Sequence, residues 1–353
     1  MSFLQAIILG IVQGLTEFIP ISSTAHLIFA SRATGLHASA GDQQTTAIIA
    51  VVQLGTLVAV LVYFARDIWN IMLAFIRDHL ALLRGRRSEA ALEMTMVGTS
   101  APKLSQEAWL GWLVIIGSIP IATVGLLLKK VIEGPLTKNL WLIATMMIVV
   151  ALLLLLAEEI GKQRRGMNEL GVKDALAVGG AQVLSLMPGA SRSGTTIMAG
   201  LFAGEKRETA ARFSFLLSIP AIAASGLLEL KEAVHLLPEG NFGPLLLAVI
   251  VSGIVGYASI WFLLRFLRTH STGIFIGYRL VVGLLIMGLL LGGVLQAQGG
   301  ATDAATPAQE QQSAPAAQTE TTRGTNNNSK DSVNLSRPSS QKGKKSDSTR
   351  KRR

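Results

Sequence analysis

The 353-residue chain has no cysteine, which excludes disulfides and thiolate metal centres and leaves the redox compartment undecided. Charge is scarce: Asp, Glu, Lys and Arg together make up 15% of the residues, against ~25% in a soluble domain. Aromatics are few at 6%, and the Trp residues at 69, 109, 112, 141 and 261 fit interfacial belts better than ligand contacts. The segment Met1–Leu15 is apolar without the basic n-region of a cleavable signal peptide.

What is present is hydrocarbon. Ala47–Phe64, Leu110–Leu128, Leu140–Ala157, Pro244–Leu264 and Ile274–Leu295 approach the ~20 residues needed to cross a bilayer core, so a soluble or single-span protein is excluded. The net charge of +10 does not point to nucleic acid. Residues 297–353 carry ten Lys/Arg and five Asp/Glu, half of the excess, and the rest lies in loops between apolar runs. Two regions follow: a membrane body over 1–296, and a basic tail over 297–353 too poor in large apolar residues to fold, expected to be disordered.

The body contains an internal repeat. With one constant offset, Ala6, Gly10, Gln13, Leu15 and Ser22 match Ala175, Gly179, Gln182, Leu184 and Ser191. Each copy carries a proline and several Ser/Thr near its middle, where a helix rarely runs unbroken. The pattern predicts two re-entrant helical hairpins, each followed by three transmembrane helices: about 45–65, 109–129 and 139–158, then 209–229, 244–265 and 274–296. A hairpin makes no net crossing and three spans reverse the side. The expected fold is therefore an all-α membrane protein with six spans in an inverted-topology repeat, repeat one over about 1–158 and repeat two over about 173–296. Segments 66–108 and 159–175, with Arg268, are rich in Arg and Lys, whereas 130–138 and 230–243 hold only Lys130, Lys138 and Lys231. The positive-inside rule puts the first set in the cytoplasm and both termini outside.

Polar residues concentrate in the two hairpins. Gln13, Glu17, Ser22, Ser23, Thr24 and His26 fall within 14 otherwise apolar residues, and Gln13 and Glu17 share a helix face. Ionisable groups at membrane depth are costly and mark function. The second hairpin carries Pro188-Gly-Ala-Ser-Arg-Ser-Gly-Thr-Thr196. Its hydroxyls at Ser191, Ser193, Thr195 and Thr196, the Arg192 guanidinium and the N–H groups of a helix starting there make a phosphate cradle. Inverted symmetry would bring Glu17 to Arg192, a pairing suited to hydrolysis of a phosphoanhydride. Glu17, with Gln13 as a second donor, could hold a divalent ion that takes its other ligands from substrate and water. Ser23 and His26, spaced i, i+3, can face each other. The nucleophile stays open among Ser22, Ser23, His26 and water.

Gln13-Gly-Leu-Thr-Glu-Phe-Ile-Pro-Ile-Ser-Ser-Thr-Ala-His26 and Pro188–Thr196 resemble the two motifs of the BacA/UppP family of undecaprenyl-diphosphate phosphatases, and the resemblance covers about residues 1–296. It implies removal of the terminal phosphate from a C55 lipid diphosphate at the outer face of the bacterial cytoplasmic membrane. A divalent cation, Mg²⁺ or Ca²⁺, is implied, as are recycling of the carrier for peptidoglycan and bacitracin resistance. Glu17, Ser23, His26 and Arg192 take catalytic positions. Ser191, Arg192 and Thr196 also match family functional positions; from the residues themselves, Ser22, Ser193 and Thr195 join them as phosphate-binding candidates, and Glu17 and Gln13 are the candidate metal ligands. Gln13 stands where the family shows Glu or Gln, and Ala25 where Gly is usual. The partners implied are the polyprenyl diphosphate and membrane lipid, with no nucleic acid and a homodimer left open.

A transporter is the rival reading, since inverted repeats and broken helices are its usual architecture. His37, His79, His235 and His270 read as loop or interfacial side chains. Gln53 either faces the site or pairs with a neighbouring helix.

Overall fold

The computed structural model describes residues 1–84, 104–128, 139–236 and 242–295. The basic tail, most of the polar stretch 84–107, and Lys130, Lys138 and the side chains of Lys231 and His235 lie outside the described residues. The chain forms helices α1 (Phe3–Phe18), α2 (Ser23–Ala33), α3 (Leu36–Tyr63), α4 (Ala65–Leu83), α5 (Gln106–Leu127), α6 (Leu140–Ile160), α7 (Val172–Leu184), α8 (Arg192–Phe202), α9 (Arg207–Leu236), α10 (Phe242–Leu267) and α11 (Gly273–Leu291). Among the described residues six are long and apolar enough to cross a membrane: α3 from Gln43, α5, α6, α9 to Leu228, α10 and α11. The protein is a multi-pass helical membrane protein.

Local chemistry sets the breaks. Ser2 and Gln5 form a capping box that starts α1, and Pro20 holds Ile19 extended (φ −68°, ψ 134°) and ends it. Asn139 caps α6 through the N–H groups of Trp141 and Leu142. Pro120 and Pro220 lie inside helices α5 and α9 that continue through them. Two departures from the sequence-based expectation stand out. The first span, Gln43–Tyr63, agrees with the expected 45–65, but its helix begins earlier, at Leu36, across a kink at Gly41 (φ 72°). Much of the loop expected over 66–108 is instead the helix α4. Arg66, Asp67, Arg77 and Asp78 made this segment look like a loop. Its apolar residues nevertheless recur at helical spacing, and Asp78, fully buried, accepts the Ser105 backbone N–H at 2.7 Å.

Lipid offers no hydrophobic force between helices, so close approach and polar contacts hold them together. α1 lies on α10, α7 on α5, α6 on α11, and α3 on both α9 and α10. At Gly179 a Cβ would collide with the Gly117 carbonyl of α5, so only glycine lets these backbones meet. Large apolar residues such as Leu227, Ile254, Val281 and Leu284 face outward, while Gln13, Thr56, Ser252 and Arg279 are buried. An aromatic cluster, Phe18 edge-on to Phe215 with centroids 5.3 Å apart and Phe64 against the same ring, fills the centre.

Ion pairs lace one end of the bundle. Arg212 binds both Asp67 oxygens at 2.7 and 2.9 Å. Glu158 accepts from Arg207 Nε at 2.6 Å and from the Thr272 hydroxyl at 2.8 Å, and Arg268 Nε reaches Glu208 at 2.9 Å. These contacts join the start of α4 and the C-terminal ends of α6 and α10 to the N-terminal ends of α9 and α11. Arg165 adds a two-pronged grip on Asp174, at 2.6 Å to each oxygen, at the start of α7, and Arg165 Nη1 also bonds the Ala203 carbonyl just after α8. Elsewhere, Gln5 Nε2 donates to the Thr34 carbonyl at 2.9 Å, which brings the start of α1 to the end of α2.

Glu205, in the turn between α8 and α9, is fully buried, and among the described residues neither carboxylate oxygen has a hydrogen-bond partner. Burial, with the nearby Asp174 carboxylate adding to it, pushes its carboxyl up from 4.5 to about 7. The folded state therefore holds this proton more tightly than the unfolded chain. The resulting stabilisation is complete below the unfolded value of 4.5 and is lost as pH rises through about 7. Glu205→Gln should flatten the pH dependence of the melting temperature and raise it above wild type at about pH 8, an effect of at most ~3 kcal/mol. Parallel melting curves for both proteins from acid to pH 8 would overturn this.

Candidate active site

Two chain breaks carry the site. Between α1 and α2, Ser22 has φ 80°; between α7 and α8, Ser191 has φ 70°. Apart from Gln163 these are the described non-glycine residues with positive φ, an uncommon conformation held only where the surroundings impose it. They are also the two serines that the repeat offset pairs. Ser191 Oγ accepts the Gly194 N–H at 3.2 Å, capping α8. Gly189 (φ 91°) is packed so close to the Ile143 carbonyl of α6 that a Cβ would collide with it.

The breaks bring Glu17 and Arg192 together across 175 residues of sequence: Arg192 Nη1 donates to Glu17 Oε1 at 3.4 Å. The Glu17 side chain is 7% exposed and that of Arg192 21%. Gln13 Nε2 donates to the second Glu17 oxygen at 3.1 Å and lies 3.4 Å from the Thr56 hydroxyl. Glu17 stands between two cavities. The smaller, about 10 Å³, lies between Glu17, Arg192, Ser193, Ser214 and Ser218 and has room for about one water. The larger, about 180 Å³, runs from Gln13, Glu17 and Ser23 along α2 to Arg32 and His37.

The other anticipated site residues divide. Ser23 lines the larger cavity and Ser193 the smaller. Ser22 is fully buried, and its hydroxyl has no partner among the described residues. Thr195 and Thr196 are fully buried and donate to the Arg192 carbonyl at 3.0 and 2.7 Å, bracing the first turn of α8, and Thr196 also meets the Ser214 hydroxyl at 2.5 Å. His26 lines neither cavity. Its Nδ1 sits 2.7 Å from the Ser22 carbonyl and its Nε2 2.7 Å from the Tyr278 hydroxyl, with the two rings stacked. Nδ1 therefore carries the proton donated to the carbonyl, and Nε2 accepts from tyrosine. The described contacts contain no Ser23–His26 hydrogen bond. Gln53 faces the larger cavity, and His37, expected in a loop, lies at its far end.

Arg279 escaped the sequence reading, which counted α11 only as a span. It is fully buried, and its guanidinium donates to five carbonyls: Pro20 at 3.4 Å from the first break, Gly189 and Ala190 at 3.1 Å each from the second, and Met146 and Met147 at 3.4 and 3.3 Å from α6. One planar cation thus satisfies the backbone that both breaks leave unpaired at membrane depth. An arginine alone in an apolar run was the available signal. Ser214 and Tyr278 carried no such signal.

For a metal, the chain offers the Glu17 carboxylate and Gln13 Oε1, which is buried without a partner among the described residues. No cluster of three His, Asp or Glu occurs among those residues. Two oxygens suit an ion that draws most ligands from phosphate and water, as Mg²⁺ does.

An acid and an arginine joined inside a helical bundle from two broken-helix segments define a polytopic membrane protein with an intramembrane polar site. The family of the bacitracin resistance protein BacA matches residues 6–285, and the chain belongs to that family. It is 50% identical over 283 residues to a protein of Syntrophobacter fumaroxidans, covering 80% of this chain and 95% of the relative. It is 46% identical to proteins of Nocardia farcinica (84% of this chain, 98% of the relative) and Mycolicibacterium vanbaalenii (84% and 100%). Each of the three relatives is named undecaprenyl-diphosphatase.

Proposed function

We propose that this protein hydrolyses undecaprenyl diphosphate to undecaprenyl phosphate and orthophosphate, with Glu17 and Arg192 as the catalytic pair. The observation that carries the reading is their contact where Glu17 borders two cavities, supported by the relatives' names. An incoming diphosphate competes with Glu17 for the Arg192 guanidinium, which then stabilises charge growing on the phosphoryl oxygens. Glu17, freed, takes the proton of the attacking oxygen, either a water or the Ser23 hydroxyl that shares its cavity. The P–O–P bridge breaks and the lipid monophosphate leaves with the bridging oxygen; where Ser23 attacks, a water then cleaves the phosphoserine to give orthophosphate and regenerate the hydroxyl. A divalent cation, Mg²⁺ or Ca²⁺, held by Glu17 and Gln13 would supply charge neutralisation between the two phosphates.

Two re-entrant hairpins, α1–α2 and α7–α8, in an inverted repeat account for this convergence. The paired positive-φ serines support that reading, as does the exchange in which α1 packs on α10 while α7 packs on α5. The basic segments around Arg66, Arg165 and Arg268 support a cytoplasmic position for their end of the bundle, and with it a Glu17 cavity that opens to the outer face. There the protein would recycle the lipid carrier for cell-wall synthesis and confer bacitracin resistance.

Phosphate release from C55 diphosphate by the purified full chain in detergent, with and without chelator, tests the reading. Release that chelator suppresses is expected. Transport of the lipid or of an anion with no phosphate release would replace the reaction with the transporter reading.

A further inference from the structure

The larger cavity does not stop at Glu17. It follows one face of α2, past Thr24, Leu27, Ile28 and Ser31, to Arg32 and His37. Ser23 and Arg32 are nine residues apart on one helix, which puts them about 13 Å from each other along its axis. The route thus joins an inner polar site to an outer one of different charge. At the inner end Arg192 is matched by Glu17, so that end carries little net charge. At the outer end Arg32 lines the cavity and forms no ion pair among the described residues, so its charge is available to an anion there.

Hydrolysis of a lipid diphosphate yields two products with opposite needs. The lipid monophosphate keeps its hydrocarbon tail in the bilayer and can leave sideways. Orthophosphate is small, carries one to two negative charges and cannot cross lipid, so it must leave through a polar passage. Among the described residues, the cavity that leads from Glu17 to Arg32 sets Thr24, Ser31, Thr45 and Gln53 among its apolar side chains, and so offers the ion polar partners along the way. We propose that Arg32, with His37 beside it, forms a second phosphate subsite at the mouth of this cavity, which draws orthophosphate away from the Glu17 carboxylate and holds it before release. The proposal rests on the phosphatase reading for its direction of travel and on the cavity for its location. The ligand chemistry, a tetrahedral phosphate oxyanion, is shared by the departing product and by the terminal phosphate of an incoming substrate. The Arg32 guanidinium suits either, since its donors match two phosphate oxygens at once.

Kinetics separate the two sources. Purified full-length wild type, Arg32→Gln and Arg32→Lys are assayed on C55 diphosphate with increasing inorganic phosphate. Loss of one charge-assisted contact should raise the inhibition constant for orthophosphate on the order of tenfold in Arg32→Gln. KM for the lipid diphosphate should stay within about twofold and the melting temperature should be unchanged. Arg32→Lys should recover part of the phosphate affinity. An unchanged inhibition constant would overturn the subsite. A rise in KM with unchanged phosphate inhibition would instead assign Arg32 to the incoming headgroup and equally overturn it. A second arm needs no turnover: inorganic phosphate should raise the melting temperature of wild type more than that of Arg32→Gln. If wild type releases no phosphate from the lipid, the proposed reaction fails, and this arm still decides the subsite by itself.

Discussion

Arg192→Ala in the purified protein is expected to lower phosphate release from C55 diphosphate by at least ~10³-fold, and Glu17→Ala by a comparable factor. The guanidinium is the cation in direct contact with Glu17, so its removal deletes the charge that meets developing negative charge on the phosphoryl oxygens. Arg192→Lys keeps a charge but loses the planar fork, and should retain only a small part of the activity. The double variant provides the sharper test. If the two residues act as one unit, Glu17→Ala/Arg192→Ala should be little worse than either single variant, because the first loss already disables the step. Multiplicative losses would assign them to independent tasks. Melting temperature serves as the control for folding, since Arg192→Ala leaves the largely buried Glu17 carboxylate with Gln13 as its remaining described partner. Either single variant, folded and fully active, would remove the catalytic pair proposed here.

The second large effect is expected at Arg279, which touches neither of the two cavities and acts through the backbone. Arg279→Met keeps an apolar side chain of moderate length in α11 but deprives the Pro20, Gly189 and Ala190 carbonyls of their donor. Each buried carbonyl left unpaired costs about 1–3 kcal/mol, so the summed loss is a large part of a typical domain's stability. The variant should still insert, because the spans are apolar. Its melting temperature should fall by about 10 °C or more, and kcat/KM by ~10²-fold or more, as Ser22 and Ser191 lose the surroundings that hold them at positive φ. Arg279→Lys, with three donors on a point charge, should recover stability only in part. The readout that separates a clamp from a mere filler is partial proteolysis at the two breaks: a clamp predicts cleavage near 20–22 and 188–191 in Arg279→Met alone. Wild-type melting and activity in Arg279→Met would refute the clamp.

The described contacts also show which features were legible in one dimension. Gln13 and Glu17 could be placed on one helix face because four residues make about one turn. The breaks were visible because proline, glycine and hydroxyl residues interrupt hydrocarbon, and Ser22 and Ser191 emerged as equivalent from a simple offset. The loop expected over 66–108 failed at α4, because charge was read as absence of structure although the apolar residues kept helical spacing. The i, i+3 spacing of Ser23 and His26 permitted a contact that the described structure does not contain. A stacked tyrosine from α11 takes His26 Nε2 instead, and local spacing carries no information about a partner 252 residues away.

The sequence alone therefore determined the solvent of this protein, the positions of its spans and the places where its helices must break, because hydrophobic length and backbone chemistry are local properties. Tertiary structure decided that Glu17 meets Arg192, that Arg279 satisfies both breaks at once, and that His37 belongs to a cavity. Those outcomes depend on which helices approach closely enough to share carbonyls and charges. In lipid that choice is made by packing and by the need to pair every polar group, which act between segments far apart in the chain.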